Sequence, residues 1–471
     1  MRKDRINLPS MLLLAITLTL TFTYCSKTSS IEEVRDETGT PEKPAPPVDP
    51  NAKQYTLVPD KEGRLVIDNK DGLYQPGDIL NLKGTFYAVI FYNLSGSASK
   101  PIVVRNAPGT VVKIGNPAWD GGSWSTALSF VNAHYVKVGG STAAEFVING
   151  STKGSRNAYF NLSLSEHSDN FDIGFITIIN GGTGIWAKTD PVKNDPSTHY
   201  PNSYMENLAI HDVSITGTYN EAMYIGHTAT YWNLSTNQSV YELAAGQVVG
   251  GDLVQPIKWR KVKIYNNKVK DIGADGIQTA AIDQLEVSNN DVTNWGLQHN
   301  PSHSGGLLIG GRVTASNVHD NVVHDGWGDL CQFFGSGETG AQHTITNNLF
   351  RDNTANDGVT FRGTDDAIIK FTNNTVARPF GVALRINGLL GQKGKQLISA
   401  NAFIQPRAGG GTVDDRAYIY TENGGQVTEG TGTNINTKFP TIAAAGVDVN
   451  NYFQPLPNSA LLSTGFRLKA F

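Results

Sequence analysis

Cysteine, methionine, long apolar runs and helical periodicity are all scarce in this chain. Two cysteines, Cys25 and Cys331, among 471 residues exclude a disulfide framework. A formal net charge of −4 leaves no basic surplus, so neither nucleic acid nor a polybasic membrane footprint is expected. Between Tyr55 and Phe471 no useful length of sequence carries apolar residues at spacings of three and four, which excludes a helical repeat. What replaces these features is glycine, 50 residues of it against four methionines, and asparagine placed at regular intervals.

An Asn pair recurs through the second half, each time closing one β-patterned run before a Gly opens another. The phrase reads IYNNKVKDIGADGIQT from Ile264, ITNNLFRDNTANDGVTF from Ile345 and FTNNTVARPFGVAL from Phe371. VSNNDVTNWG from Val287 and VHDNVVHDGWGDL from Val318 are looser copies. The pairs begin at Asn266, Asn289, Asp320, Asn347 and Asn373, and SANAFI places Asn401 next, so the spacing is 23 to 31 residues. A period of that size predicts one supersecondary unit stacked on itself. Alternation over four to six residues on either side of the pair predicts strands. Asn suits the bend between them because it tolerates the left-handed backbone region, and its side chain can bond to the Asn one rung away.

With these phrases in place, the chain resembles right-handed parallel β-helix proteins of the pectate-lyase-like superfamily. PGDILNLKGTFYAVIF from Pro76 with KPIVVRNAPGTVVKIG from Lys100 is similar to the opening of such coils, and FQPLPNSALLSTGF from Phe453 to their closing segment. The resemblance implies an all-β fold, a single-stranded right-handed parallel β-helix over residues 54–471. Length agrees, because a solenoid grows by adding rungs and one such domain needs no second core. A monomer is expected.

The first 53 residues stand apart. Arg2, Lys3 and Arg5 precede the apolar run Leu12–Phe22, which is short for a membrane span and has the pattern of a secretory signal. Cys25 at its end predicts a lipoprotein acylated there and tethered at the cell envelope, with the outer membrane as the expected location. Tyr24 departs from the small residue usual before such a cysteine. Residues 26–53 are rich in Pro, Ser, Thr and acids, which predicts a disordered tether.

Aligning rungs on the Gly-apolar step superposes GIWAK, AMYIG, GIQTA, GLLIG, DLCQF, GVTFR and GVALR. This predicts an inner stack of Ile185, Met223, Ile277, Leu307, Leu330, Val359 and Val382. Trp186, Tyr224, Gln278, Leu308, Cys331, Thr360 and Ala383 then point outward, with Lys188, Arg362 and Arg385 beyond them. Glu221, Asp275 and Asp357 precede the strand, and Asp329 lies close by. Strands about 4.8 Å apart bring such acids within electrostatic reach of one another. They are candidates for a Ca²⁺ site, with Glu221 and Asp275 as ligands, or for acid–base work. Asp before Gly is also ordinary turn chemistry. Arg362 and Arg385 form a candidate guanidinium pair for a uronate, or a solvated stack.

Histidines cluster within WGLQHNPSHSGG and the rung that follows it. His303 is a candidate general base. His299 and His303 would share a metal only on a helix, which Asn300 and Pro301 discourage. Lys188, Tyr224, Arg312 and His324 are candidate substrate-binding residues, and the insertion around Tyr231, Trp232 and Tyr241 is expected to wall the same side with aromatics or to pack beneath a loop.

The hydrolase signatures of the superfamily are represented only by partial echoes, GHT at Gly226, GTDD at Gly363 and RIN at Arg385, and no Asn-Thr-Asp is present. The lyases of the fold use a Lys or Arg base with an acid or Ca²⁺ that neutralises a uronate carboxylate. The resemblance therefore implies a polysaccharide partner and a lyase acting on acidic glycans. In that mechanism Arg362 or Arg385 holds or deprotonates the uronate, with Asp357, Asp329 and Asp275 as acids or cation ligands. The alternatives are a non-catalytic glycan-binding or scaffold protein and a hydrolase with paired carboxylates.

Overall fold

The computed structural model describes residues 52–334, 340–362, 367–388, 395–461 and 463–469. The leader with Cys25, the tether up to residue 51 and the GTDD echo lie outside the described residues. From Gln54 onward the chain is a parallel β-helix. Three long sheets of 13, 12 and 12 strands run along it, and almost every strand pairs in parallel with its counterparts one rung before and after. One coil illustrates the rest. Lys258–Tyr265 lies in the first sheet, Lys268–Lys270 in the second and Ile277–Thr279 in the third, before Ile282–Ser288 returns to the first. The one α-helix among the described residues is Ile442–Ala445.

The bend between the first and second sheets divides the Asn pair by role. The leading residue takes positive φ, 56° at Asn266, 54° at Asn289, 57° at Asp320, 53° at Asn347 and 56° at Asn373. The second residue turns inward. Asn267, Asn290, Asn321, Asn348, Asn374, Asn401 and Asn436 form a continuous ladder in which each amide donates to the next side-chain oxygen at 2.9–3.2 Å. Each also donates to a main-chain carbonyl below, as Asn348 does to Val318 at 2.9 Å. The ladder thereby satisfies buried polar groups that a solenoid corner otherwise leaves open.

Register fills the interior with aligned apolar side chains. In the third sheet Ile185, Met223, Ile277, Leu307, Cys331, Val359 and Leu384 are cross-strand partners. This corrects the predicted stack at two rungs. Asp329 occupies the position of the acids rather than that of Gly276 and Gly358, which shifts that rung by one residue and turns Cys331 into the core. At the next but one rung two further residues precede the strand, so Leu384 rather than Val382 enters the stack. Gln332 and Arg385 consequently face outward. Burial pushes the Cys331 thiol well above its usual range, in keeping with a packing role.

One insertion and the C-terminal segment decorate this scaffold. His199–Tyr200, Tyr231–Asn233, Gln238–Val240 and Leu253–Pro256 join in a separate four-stranded sheet. The C-terminal segment covers the outer face of the second sheet, where Phe453, Leu461 and Phe466 pack with Leu349, Ala402 and Ile404.

Candidate functional site

The outer face of the third sheet carries one aligned row: Trp186, Tyr224, Gln278, Leu308, Gln332, Thr360, Arg385 and Tyr420. The same register places Glu221, Asp275, Gly305, Asp329, Asp357 and Val382 in a second row three residues upstream. Asp329 therefore belongs to the acid column fully.

These aspartates have a local structural task. Asp275 Oδ1 accepts from the Gly305 amide at 2.6 Å, Asp329 Oδ1 from Asp357 at 3.0 Å and Asp357 Oδ1 from Val382 at 2.9 Å. One carboxylate oxygen at each level stitches its turn to the next rung, as the Asn ladder does at the other corner.

The second oxygen distinguishes them. Asp329 Oδ2 accepts from Gln332 at 3.0 Å, and Thr360 one rung on donates to Oδ1 at 3.1 Å. Asp357 is held by Arg385, which also reaches Glu422 at 3.3 Å. At the corresponding place beside Asp275 stands Leu308, which has no donor. Asp275 Oδ2 is fully buried and lacks a hydrogen-bond partner among the described residues. It faces His303 Nδ1 at 3.5 Å, while Glu221 Oε1 lies 3.6 Å from the same nitrogen. Glu221, Asp275 and His303 are the described residues grouped closely enough to hold a metal ion, their ligand atoms all lying within 4.8 Å of one another.

The electrostatics follow from this burial. Desolvation raises Glu221, with the Asp275 charge adding to it, and desolvation likewise raises Asp275. The Asp275 carboxylate opposite raises His303. Burial also pushes Asp329 up to about 6. The His303 side chain is 44% exposed, whereas Asp275 is 0% and Glu221 10% exposed. The imidazole is thus the member of the cluster that solvent can reach.

Its loop is fixed rather than helical. His303 donates its amide to Asn300 at 3.0 Å, Ser302 donates to Asn300 Oδ1 at 3.1 Å, and buried Trp295 donates to the Ser304 carbonyl at 3.0 Å. Gln298 bonds the Tyr219 carbonyl two rungs earlier, across the rung that carries Asp275. His299 stacks on Trp327 at 4.9 Å instead of joining His303.

Beside the cluster lies an aromatic platform. Trp186 and Tyr224 stack at 4.6 Å, and Phe160 continues the run at 5.1 Å from Trp186. Lys188 Nζ sits 4.7 Å from the Trp186 ring and 5.9 Å from that of Tyr224, with Asp190 at 2.8 Å. Burial pushes the Tyr224 phenol up to about 12, so it remains a neutral donor or acceptor. Of the insertion aromatics, Trp232 packs against His227 while Tyr241 is exposed. Trp186 and Gln278 carry no role in the sequence-based assignment, although strand alternation already placed both on this face.

The other sequence candidates are dispersed. Arg362 reaches Asp329 at 4.0 Å and stays partly exposed. It pairs in register with Asn387, and Arg385 with Thr360, so the two guanidinium groups are offset. Arg312 is buried under the insertion, where it donates to the Pro256 carbonyl at 2.9 Å and lies over Tyr200. His324 belongs to the second sheet, between Asp291 and Asp325.

No family profile matches the chain, and no curated protein does. Among solved structures it is similar in chain path to a GH136 lacto-N-biosidase from Eubacterium ramulus. The selenomethionine form aligns at 12% identity and a TM-score of 0.44, over 78% of this chain and 62% of that one. The native form aligns at 11% and 0.38, over 82% and 68%. A complex of XylC with xylose aligns at 10% and 0.37, over 82% and 86%. The chain therefore spans less than two thirds of the first of these proteins.

Proposed function

We propose that this protein is a polysaccharide lyase that cleaves uronate-containing glycans on the outer face of its third sheet, with His303 as the proton acceptor. One observation carries the proposal: a half-exposed imidazole is backed by the buried carboxyl groups of Asp275 and Glu221, beside the Trp186–Tyr224 platform. Aromatic faces suit the C–H surfaces of sugar rings, and Lys188, ion-paired with Asp190 at 2.8 Å, borders that platform.

In β-elimination His303 Nε2 takes the proton from C5 of the uronate. The C–H electron pair becomes the C4–C5 π bond, the C4–O bond breaks, and the departing oxygen takes a proton from solvent water. Asp275, whose Oδ2 lies 3.5 Å from Nδ1, stabilises the charged form of the imidazole electrostatically as it takes the proton. Hydrolysis by paired carboxylates is less well supported. Both acids must then touch the sugar, and Asp275 is fully buried. Arg385, engaged with Asp357 and Glu422, is likewise a weaker base candidate than His303.

The test is ultraviolet absorbance of unsaturated uronate over a panel of acidic polysaccharides, with reducing ends counted in parallel and with calcium or chelator arms. The wild type is expected to raise the absorbance and His303→Ala to slow it by about 100-fold or more. Reducing ends without absorbance would indicate hydrolysis, and neither signal with retained glycan binding would indicate a binding protein. A chelator-sensitive rate restored by calcium would add an oxygen-ligated cation to the mechanism.

A further inference from the structure

We propose that Glu221, Asp275 and His303 form a binding site for a divalent ion of the Zn²⁺ class, and that its occupation shuts off proton transfer by His303. The binding claim stands on geometry alone; the inhibitory consequence rests on the function proposed above.

The contacts within the cluster are the wrong length for hydrogen bonds and the right length for ligands. N–H···O bonds prefer about 2.7–3.2 Å, yet His303 Nδ1 stands 3.5 Å from Asp275 Oδ2 and 3.6 Å from Glu221 Oε1. A tetrahedral ion with bonds of about 2.0–2.2 Å to nitrogen and oxygen holds its ligand atoms roughly 3.3–3.6 Å apart. Both separations from Nδ1 meet that condition, and the three ligand atoms all lie within 4.8 Å of one another.

A second observation points into the same space. Asp275 Oδ2 is fully buried without a donor, although its counterparts in the column are served by Gln332 and Arg385. Asp275 Oδ1 is committed to the Gly305 amide, which fixes the direction of Oδ2. Two carboxylates and one imidazole are a donor set for Zn²⁺-class ions, which leaves a fourth position for a water or another ligand. Ca²⁺ takes roughly six to eight oxygens, which three side chains including a nitrogen donor do not supply.

The ion and the catalytic role compete for one side chain. Coordination through Nδ1 would tie the imidazole to the carboxylates and spend the basicity that proton abstraction needs.

The experiment is calorimetric titration of the purified full chain with Zn²⁺, repeated with Co²⁺ and read by visible absorption. His303→Gln and Asp275→Asn are the comparison variants, each checked for its melting transition. One ion per chain is expected, with an absorption pattern of low coordination number. Affinity should fall by at least about 100-fold in His303→Gln, a substitution on an exposed loop that leaves the coil intact. Absence of saturable binding, or binding undiminished in His303→Gln, would overturn the site. If the protein cleaves uronates, Zn²⁺ at the calorimetric stoichiometry should stop the absorbance rise, and continued cleavage by the loaded protein would overturn the inhibitory claim. If no uronate is cleaved, the inhibitory claim falls with the proposed function, while the calorimetry still decides the site.

Discussion

At the scale of single residues, the two asparagines of each pair do different physical work. The leading one is tolerated for its backbone, because Asn enters the left-handed region at lower cost than most residues. The second is needed for its side chain, which accepts from one rung and donates to another while fully buried. Asn348 illustrates this: Nδ2 donates to Val318, Thr346 and Asn374, and Oδ1 accepts from Asn321. Asn348→Leu strands several buried groups and should cost about 2–4 kcal/mol. Asn347→Gly keeps the required backbone and should cost less, mainly its bonds to Asp320 and the Arg467 backbone. Chemical denaturation of the two variants side by side checks the contrast, and equal losses would contradict it. Both roles were open to sequence reasoning because they depend on local backbone preference and on an Asn pair that recurs every 23 to 31 residues.

At the scale of the strand and its turn, the acid column shows how register chooses among chemically identical residues. Asp275, Asp329 and Asp357 each bind the next main-chain amide, and what separates them is the side chain one rung on. That position holds Leu308 for Asp275, Thr360 for Asp329 and Arg385 for Asp357. Leu308→Arg should therefore clamp Asp275 as Arg385 clamps Asp357 and draw it away from His303. The expected result is a loss of at least about 10-fold in both Zn²⁺ affinity and uronate cleavage, in a variant whose melting transition confirms that it is folded. Calorimetry and the absorbance assay measure the two effects separately. Sequence alignment found the column but slipped by one residue at Asp329 and by two before Leu384. Such slips occur because turn length is free to vary while strand pairing is not.

For the whole molecule, buried histidines set limits on stability at both ends of the pH scale. His343 is held neutral in the core, and burial drags it down to about 3. The unfolded chain binds a proton there near 6.5, so this contribution is complete above that value and is lost as pH falls toward 3. His319 behaves oppositely. Despite burial, Asp320 and Glu286 raise it to about 9, so its contribution is complete below 6.5 and fades as pH climbs through 9. Each group contributes a slope of up to about 1.4 kcal/mol per pH unit within its window. Melting temperature should accordingly peak near neutrality. His343→Phe should flatten the acid limb and His319→Gln the alkaline one; unchanged limbs would refute the assignment. His319 also lies where the C-terminal segment returns, with Lys469 bound to Asp320 at 2.8 Å.

The sequence by itself determined the rung, the strand alternation, the corner asparagines and the existence of an acid column, because each is encoded in residues close together along the chain. It also placed His303 on a turn insertion and Trp186 and Tyr224 on an outward face. Only the tertiary structure decided that His303 returns over Asp275 and Glu221, that Arg312 is buried, that His324 stands on another sheet and that Arg385 is spent on Asp357. Those outcomes depend on which side chains of different rungs come into register. In a solenoid that register is fixed by strand pairing between successive coils, while the length of each intervening turn is free to vary, so the spacing of the repeat alone does not tell which side chains meet.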